Sequence, residues 1–243
     1  VIVLLSLCLT FFPALSFAAE PFFLVSGFDD VVKQAENQNL AKAAFRLLKA
    51  DQTFTGMPEL YRGLTQAQTQ EIKFFLVSGT SQMFLKRSQK LLEDSKFPKA
   101  ELYFRSWLTE WDIESFKIKS IKKALSPDPH AKMVVIFDNS QASQELSRLL
   151  PENFPGQILA IYLRETVQKP PTPGAAPFIT AFDVGLNEWK KGRMTLTALE
   201  KVEQAILNEQ NPEHLIPGYA FCPKDYDPCL NAELTNCHSV RVK

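Results

Sequence analysis

The sequence predicts an α/β domain built on a mostly parallel sheet that is covered on both faces. Three observations carry this. Short apolar, β-branched and aromatic runs recur along the chain, each nearly continuous and bounded by turn or polar residues, as strands buried on both faces are. Between them, apolar residues repeat at spacings of three and four, the mark of amphipathic helices. Strand and helix alternate, which calls for βαβ crossovers and not hairpins. With 45% hydrophobic and 22% charged residues, the chain has ordinary globular composition, which excludes a disordered or collagen-like protein.

The strands are expected at residues 22–28, 74–78, 102–104, 133–137, 158–163 and 178–182. The first helix is read from Leu40, Ala43, Ala44, Leu47 and Leu48, and the second from Met83, Phe84, Leu91 and Leu92. Ile118, Ile121 and Leu125 mark a third, Leu146, Leu149 and Leu150 a fourth, and Leu196–Leu207 a longer fifth. The Pro-rich stretch 169–177 reads as a rigid surface loop within the same domain, because strand and helix patterns continue beyond it. No internal repeat is found.

Charge and the chain ends bear on compartment and partners. Lys+Arg and Asp+Glu are 27 each, so there is no basic footprint for nucleic acid or for electrostatic capture by anionic membranes. Nine glycines against 16 prolines speak against a Gly-rich nucleotide-binding protein. Residues 1–18 carry no charge and end in Ser16-Phe17-Ala18, a small-x-small cleavage signal. This reads as a secretory signal peptide, too short for a comfortable membrane span, and places the mature protein in the periplasm or outside the cell. No stable membrane span is expected after cleavage. A lipoprotein box at Cys8 would need a small residue where Leu7 stands. Residues 19–209 then form the α/β domain and residues 210–243 an extended, cysteine-bearing tail. Cys222, Cys229 and Cys237 cluster there, and in an exported protein such a cluster reads as a disulfide staple with one thiol left over. Zinc held with His238 is the alternative, but the spacing fits no common structural-zinc pattern. His130, His214 and His238 lie in polar or Pro-flanked contexts and read as surface residues.

In an open parallel sheet, chemistry sits beyond the carboxyl ends of the strands. The first strand closes with Val25-Ser26-Gly27-Phe28-Asp29-Asp30-Val31-Val32-Lys33, and the second with Leu76-Val77-Ser78-Gly79-Thr80-Ser81. Lys117 lies on a helix before the fourth strand, which ends Phe137-Asp138-Asn139-Ser140. Acid, hydroxyl, lysine and acid in that order resemble the layout of the haloacid dehalogenase superfamily of phosphotransferases. The chain is more closely similar to the phosphatidate phosphatase catalytic domain of the actin-patch protein family. Its Gly56-Met57-Pro58-Glu59-Leu60-Tyr61-Arg62 keeps one motif of that family intact, and Phe97-Pro98, Phe104-Arg105 and Ala160-Ile161-Tyr162-Leu163-Arg164 follow in order. The resemblance spans about Phe22 to Arg164 and implies a Rossmann-like parallel sheet with a minimal cap. It also implies a Mg²⁺-dependent hydrolase acting on a phosphorylated lipid or small phosphomonoester.

Carried over position by position, the family's nucleophilic Asp falls on Gly27, its general acid/base on Asp29, and its phosphate-binding hydroxyl and ammonium on Ser78 and Lys117. The metal-binding acid of the last motif falls on Asp138. The choice of Lys117 over Lys119, Lys122 and Lys123 rests on this alignment. The departures are Gly27, Val31 for a Thr, Phe137 for a Gly, and Ser143 for a second acid. Glycine supplies no carboxylate to take a phosphoryl group, and Mg²⁺ loses donors at Gly27 and Ser143, which leaves Asp138 as a weak remaining ligand. The expectation is therefore an exported pseudoenzyme that binds a phosphorylated ligand or partner. An active divergent phosphatase and a purely structural export module stand as alternatives. Read without the family, Asp29-Asp30 is a turn pair, Ser78 satisfies a turn, Asp138 caps the following helix, and Trp107 and Trp111 pack. An aromatic wall for lipid is the other reading of the two tryptophans.

Overall fold

A computed structural model describes residues 22–36, 52–66 and 72–226. The leader, the helix expected around Leu40–Leu48, and the cysteines at 8, 229 and 237 lie outside the described residues, as does His238. The elements run β1 (Phe22–Ser26), α1 (Met57–Gln66), β2 (Phe74–Ser81), a 3₁₀ turn (Gln82–Phe84), α2 (Leu85–Asp94), β3 (Glu101–Arg105) and α3 (Ile113–Leu125). They continue with β4 (Lys132–Asp138), α4 (Gln141–Asn153), β5 (Ile158–Arg164), β6 (Ala176–Phe178), α5 (Ala181–Lys190) and α6 (Leu196–Leu207).

The six strands form one sheet in the order β3-β2-β1-β4-β5-β6, every neighbouring pair parallel. This is the α/β, Rossmann-like architecture expected of the haloacid dehalogenase superfamily. The chain works outward from β1 to β2 and β3, then returns to β4 on the other side, so strand order reverses beside β1. That reversal leaves a crevice at the strands' carboxyl ends, where ligands of open α/β sheets bind.

Alternation along the strands divides the core. Leu24, Leu76, Val134 and Ile136 face one side, where Leu60, Tyr61, Phe182, Leu199 and Val202 from α1, α5 and α6 cover them. Val25, Phe75, Val77, Val135 and Phe137 face the other side, against Phe116, Ile121, Leu146 and Leu150 from α3 and α4.

Several elements differ from the sequence reading: α1 (Met57–Gln66) is a helix it did not place, and β6 begins at Ala176, inside the stretch read as a Pro-rich loop. The apolar run 178–182 ends as a strand at Phe178, and a helix begins at Ala181. Thr180 and Asp183 form a capping box there: Asp183 Oδ2 accepts the Thr180 amide at 2.9 Å, which outweighs the apolar run's preference for strand. The periodicity from Met83 is broken, since Met83 and Phe84 lie in the 3₁₀ turn and α2 starts at Leu85.

Residues 210–226 return to the domain. Tyr219 Oη donates to Asp30 Oδ1 at 2.7 Å, Tyr226 Oη to Asp183, and the Phe221 amide to Thr166 O. Cys222 is exposed and forms no disulfide among the described residues.

Candidate functional site

The Gly27 amide donates to Ile136 O at 2.9 Å, extending the β1–β4 ladder one step past Ser26 opposite Ile136. The chain then turns. The amides of Val32 and Lys33 both donate to Phe28 O, and Asp30 stands at φ 55°, a left-handed conformation that Asp tolerates better than most residues. This turn sends the two adjacent acids in opposite directions. Asp30 is fully buried, and its Oδ1 accepts the amides of Ala35 and Glu36 at 2.9 Å each as well as the Tyr219 hydroxyl. Asp30 thus organises its own loop. Asp29 faces the crevice, where its Oδ2 accepts the hydroxyls of Ser78 at 2.8 Å and Thr80 at 2.6 Å.

Ser78 and Thr80 are two apart on β2 and so share a face. Ser78 Oγ also accepts the Thr80 amide at 3.0 Å, which fixes its hydroxyl toward Asp29. Lys117 arrives from the second turn of α3, buried against the sheet. Its Nζ lies 3.5 Å from Ser143 Oγ and 4.8 Å from the Phe137 ring centroid. Burial pushes the Lys117 ammonium below the usual lysine range, and the charges of Asp138, Asp29 and Glu114 partly counter this. At the end of β4, Asp138 Oδ1 accepts the Ser143 hydroxyl at 2.5 Å, and Oδ2 accepts the Ser140 amide at 3.3 Å. Ser140, not Asp138, is the N-cap of α4, accepting the Ser143 amide. The helix-capping reading of Asp138 is corrected on that point.

Asp29, Ser78, Lys117, Asp138 and Gly27 thus come to one cleft of about 340 Å³, bounded also by Thr80, Trp107 and Ser140. The departures Gly27 and Phe137 meet there. A Cβ placed on Gly27 would lie 3.0 Å from Phe137 Cδ1 and 3.3 Å from Val31 Cγ2, and the Phe137 ring is fully buried. The ring and the valine methyl crowd the place where a side chain at position 27 would begin, so each would have to give by a few tenths of an ångström to admit one.

Residues 22–165, more than half of the chain, match the family described as phosphatidate phosphatase APP1, catalytic domain. The chain belongs to this family. No curated protein and no solved structure matches it. The APP1 catalytic-domain match runs from β1 to the end of β5 and holds every cleft residue named above, while β6, α5 and α6 lie beyond it.

The divalent metal implied by the APP1 family resemblance does not fit the residues present. A hard cation needs several converging oxygens, at least one or two of them carboxylate. Here position 27 offers none, position 143 offers a hydroxyl already donated to Asp138, and both Asp138 oxygens are engaged. The Lys117 ammonium already lies close enough to Asp138 and Asp29 to feel both charges. Among the described residues no group of three or more His, Cys, Asp or Glu side chains is placed to hold a metal. No helix among them is long and apolar enough to cross a membrane.

Sequence reasoning missed Thr80, Ser140 and the bridging place of Ser143. The i, i+2 spacing of Ser78 and Thr80 on a strand could have revealed the first. The packing of Trp107 and Trp111 is corrected too, since both are exposed, at 56% and 82%.

Proposed function

We propose that this chain is a non-hydrolysing member of its family that binds the phosphate of a phosphorylated lipid or small phosphomonoester in the cleft without a metal ion. What supports this is the absence of a side chain at Gly27, with Phe137 packed where one would begin, beside a cleft lined by hydroxyl and ammonium groups. Covalent phosphoryl transfer needs a carboxylate in line with phosphorus. Asp30 is turned into its loop, and Asp138 is held by Ser143 and Ser140. Losing the positioned nucleophile removes on the order of several kcal/mol of barrier lowering.

Lys117 supplies charge for a phosphate oxygen, and Ser78 and Thr80 supply hydroxyls that re-aim from Asp29. Asp29 then accepts a hydrogen bond from an O–H of the ligand or of a water. A divergent phosphatase in which Asp29 activates that water is the second reading, favoured by Asp29 facing the cleft with Ser78 and Thr80. An open cleft of this size counts against a purely structural module.

The uncharged leader supports export to the periplasm or the cell exterior. A cysteine-bearing tail supports one disulfide among Cys222, Cys229 and Cys237. Intact mass of the exported protein, before and after reduction, tests both: a start at Ala19 and one bond are expected.

The functional test is calorimetric titration with inorganic phosphate, with and without a chelator, followed by phosphate release from phosphatidate with Mg²⁺. Chelator-insensitive binding without release is expected. Robust Mg²⁺-dependent release that disappears in Asp29→Asn would falsify the reading.

A further inference from the structure

The loop that follows β3 exposes an unusual set of side chains at the mouth of the cleft. Trp107 is 56% exposed, Leu108 86% and Trp111 82%, and Met83 beside them is 76% exposed. Ser81 pairs with Arg105 at the end of the β2–β3 ladder, so Met83 and Trp107 each stand two residues past a paired position and share one corner of the sheet. Four large apolar side chains left in solvent at one corner mark an interaction site.

The loop is built to hold them out. Ser106 O accepts the amides of Thr109 and Glu110, and the Ser106 amide donates to Glu110 Oε2 at 2.7 Å. The Arg105 guanidinium donates to Gly79 O and Trp111 O, fastening the loop to β2. These bonds fix the loop against β2 while Trp107, Leu108 and Trp111 stay exposed.

We propose that this loop seats the protein on a phospholipid bilayer, with Trp107, Leu108 and Trp111 entering the boundary between headgroups and acyl chains. Two features favour a bilayer over a protein partner. Tryptophan is the side chain best suited to that boundary, with an apolar body and a single N–H donor. Trp107 also lines the cleft, so a lipid phosphate entering it keeps its acyl chains on the side where the loop's apolar residues lie. The last point rests on the phosphate-binding reading; the docking itself does not. Because the chain carries equal positive and negative charge, docking is driven by apolar insertion and resists salt, unlike polybasic binding.

The test is flotation of the mature protein with vesicles of phosphatidylcholine alone and of phosphatidylcholine with phosphatidate, in low and high salt. Tryptophan emission and its quenching by brominated acyl chains are followed in parallel. The wild-type protein should float with both vesicles at both salt concentrations, with emission shifted to the blue and quenched by bromine. Leu108→Asp, at an exposed position outside the cleft, should fold normally and lose vesicle binding by about tenfold or more, while binding inorganic phosphate like the wild type. Lys117→Ala should lose inorganic phosphate and still float with phosphatidylcholine.

Failure to float with phosphatidylcholine, or equal flotation of Leu108→Asp, overturns the docking proposal. So does a salt-sensitive interaction confined to phosphatidate vesicles and abolished by Lys117→Ala, which would be capture by the cleft alone. A self-association that Leu108→Asp dissolves, without vesicle binding, overturns it in favour of a protein interface. If flotation behaves as stated while phosphate titration fails, only the phosphate-binding reading falls.

Discussion

The ring of Phe137 stands 3.0 Å from where a side chain on Gly27 would begin. The two residues belong to neighbouring parallel strands one step past the pairing of Ser26 with Ile136, and both lie on the face covered by α3 and α4. The two residues, 110 positions apart in the chain, thus share one steric constraint, and a side chain at position 27 and the ring at position 137 compete for the same space.

Substitutions at these two positions should therefore couple. Gly27→Asp alone should destabilise the fold by roughly 1–3 kcal/mol through overpacking, and Phe137→Gly alone by about 3–5 kcal/mol through the cavity it leaves. Together they should cost less than the sum by about 1 kcal/mol or more, read from a double-mutant cycle in urea. Mg²⁺ binding by calorimetry should emerge only when Ser143→Asp is added, since two carboxylates then join Asp138. Strict additivity would show that the ring and position 27 do not compete.

Phosphate affinity should fall as pH rises, with a midpoint below the ordinary lysine value of 10.5. The sign follows from burial: the Lys117 ammonium loses its proton earlier than an exposed one, and with it the charge that attracts the anion. In the free protein the same depression means that the unfolded chain binds more protons between the folded-state value and 10.5, so this group's contribution to stability rises with pH through that window. Calorimetric titration with phosphate across alkaline pH, on wild type and Lys117→Met, measures the first effect. A Lys117→Met profile identical to the wild type would assign the dependence to some other group.

Arg164→Lys should destabilise the protein by roughly 2–3 kcal/mol although it keeps the charge. The guanidinium lies between the rings of Phe54 and Phe178, at 3.9 and 4.7 Å from their centroids, and donates to Ile179 O at 2.6 Å and Val31 O at 3.4 Å. An ammonium cannot stack between two rings and fork to two carbonyls. Because Val31 belongs to the turn that aims Asp29, thermal melting and phosphate titration should both register the change. A variant that melts with the wild type would leave the sandwich without energetic weight.

Tyr219→Phe removes a hydroxyl that donates to the buried carboxylate of Asp30. A hydrogen bond to a charged group of this kind contributes about 1.5–3 kcal/mol. Hydrogen exchange should speed up first at the amides of Ala35 and Glu36, which share the same oxygen. Unchanged protection at both amides would mean that the loop holds itself.

How much of this was legible depended on whether the controlling contact was local. β1, β4 and β5 are buried on both faces and announce themselves as continuous apolar runs. Residues 178–182 look the same in one dimension, yet the capping box of Thr180 and Asp183 turned them into a helix start. Met57, Leu60, Tyr61 and Leu64 carry the helical spacing of α1, but it stood inside a motif that drew attention to itself. Asp29, Ser78, Lys117 and Asp138 could be placed at strand ends or by family register. The opposed directions of Asp29 and Asp30 could not, because they arise from one left-handed residue. Nor could the exposure of Trp107, which depends on the hydrogen bonds that close its loop.

The contact between Tyr219 and Asp30 spans 189 residues of sequence, and that has a consequence for biosynthesis. A polypeptide emerging amino end first presents the loop of Asp29 and Asp30 long before the hydroxyl that latches it. Until residue 219 is made the loop lacks this latch, and until α5 and α6 are made the α1 face of the sheet lacks part of its cover. A fragment ending at residue 165 would hold every cleft residue and remain in that condition. A truncation anywhere between residues 165 and 219 would keep the cleft residues and lose the hydroxyl that latches the loop beside them.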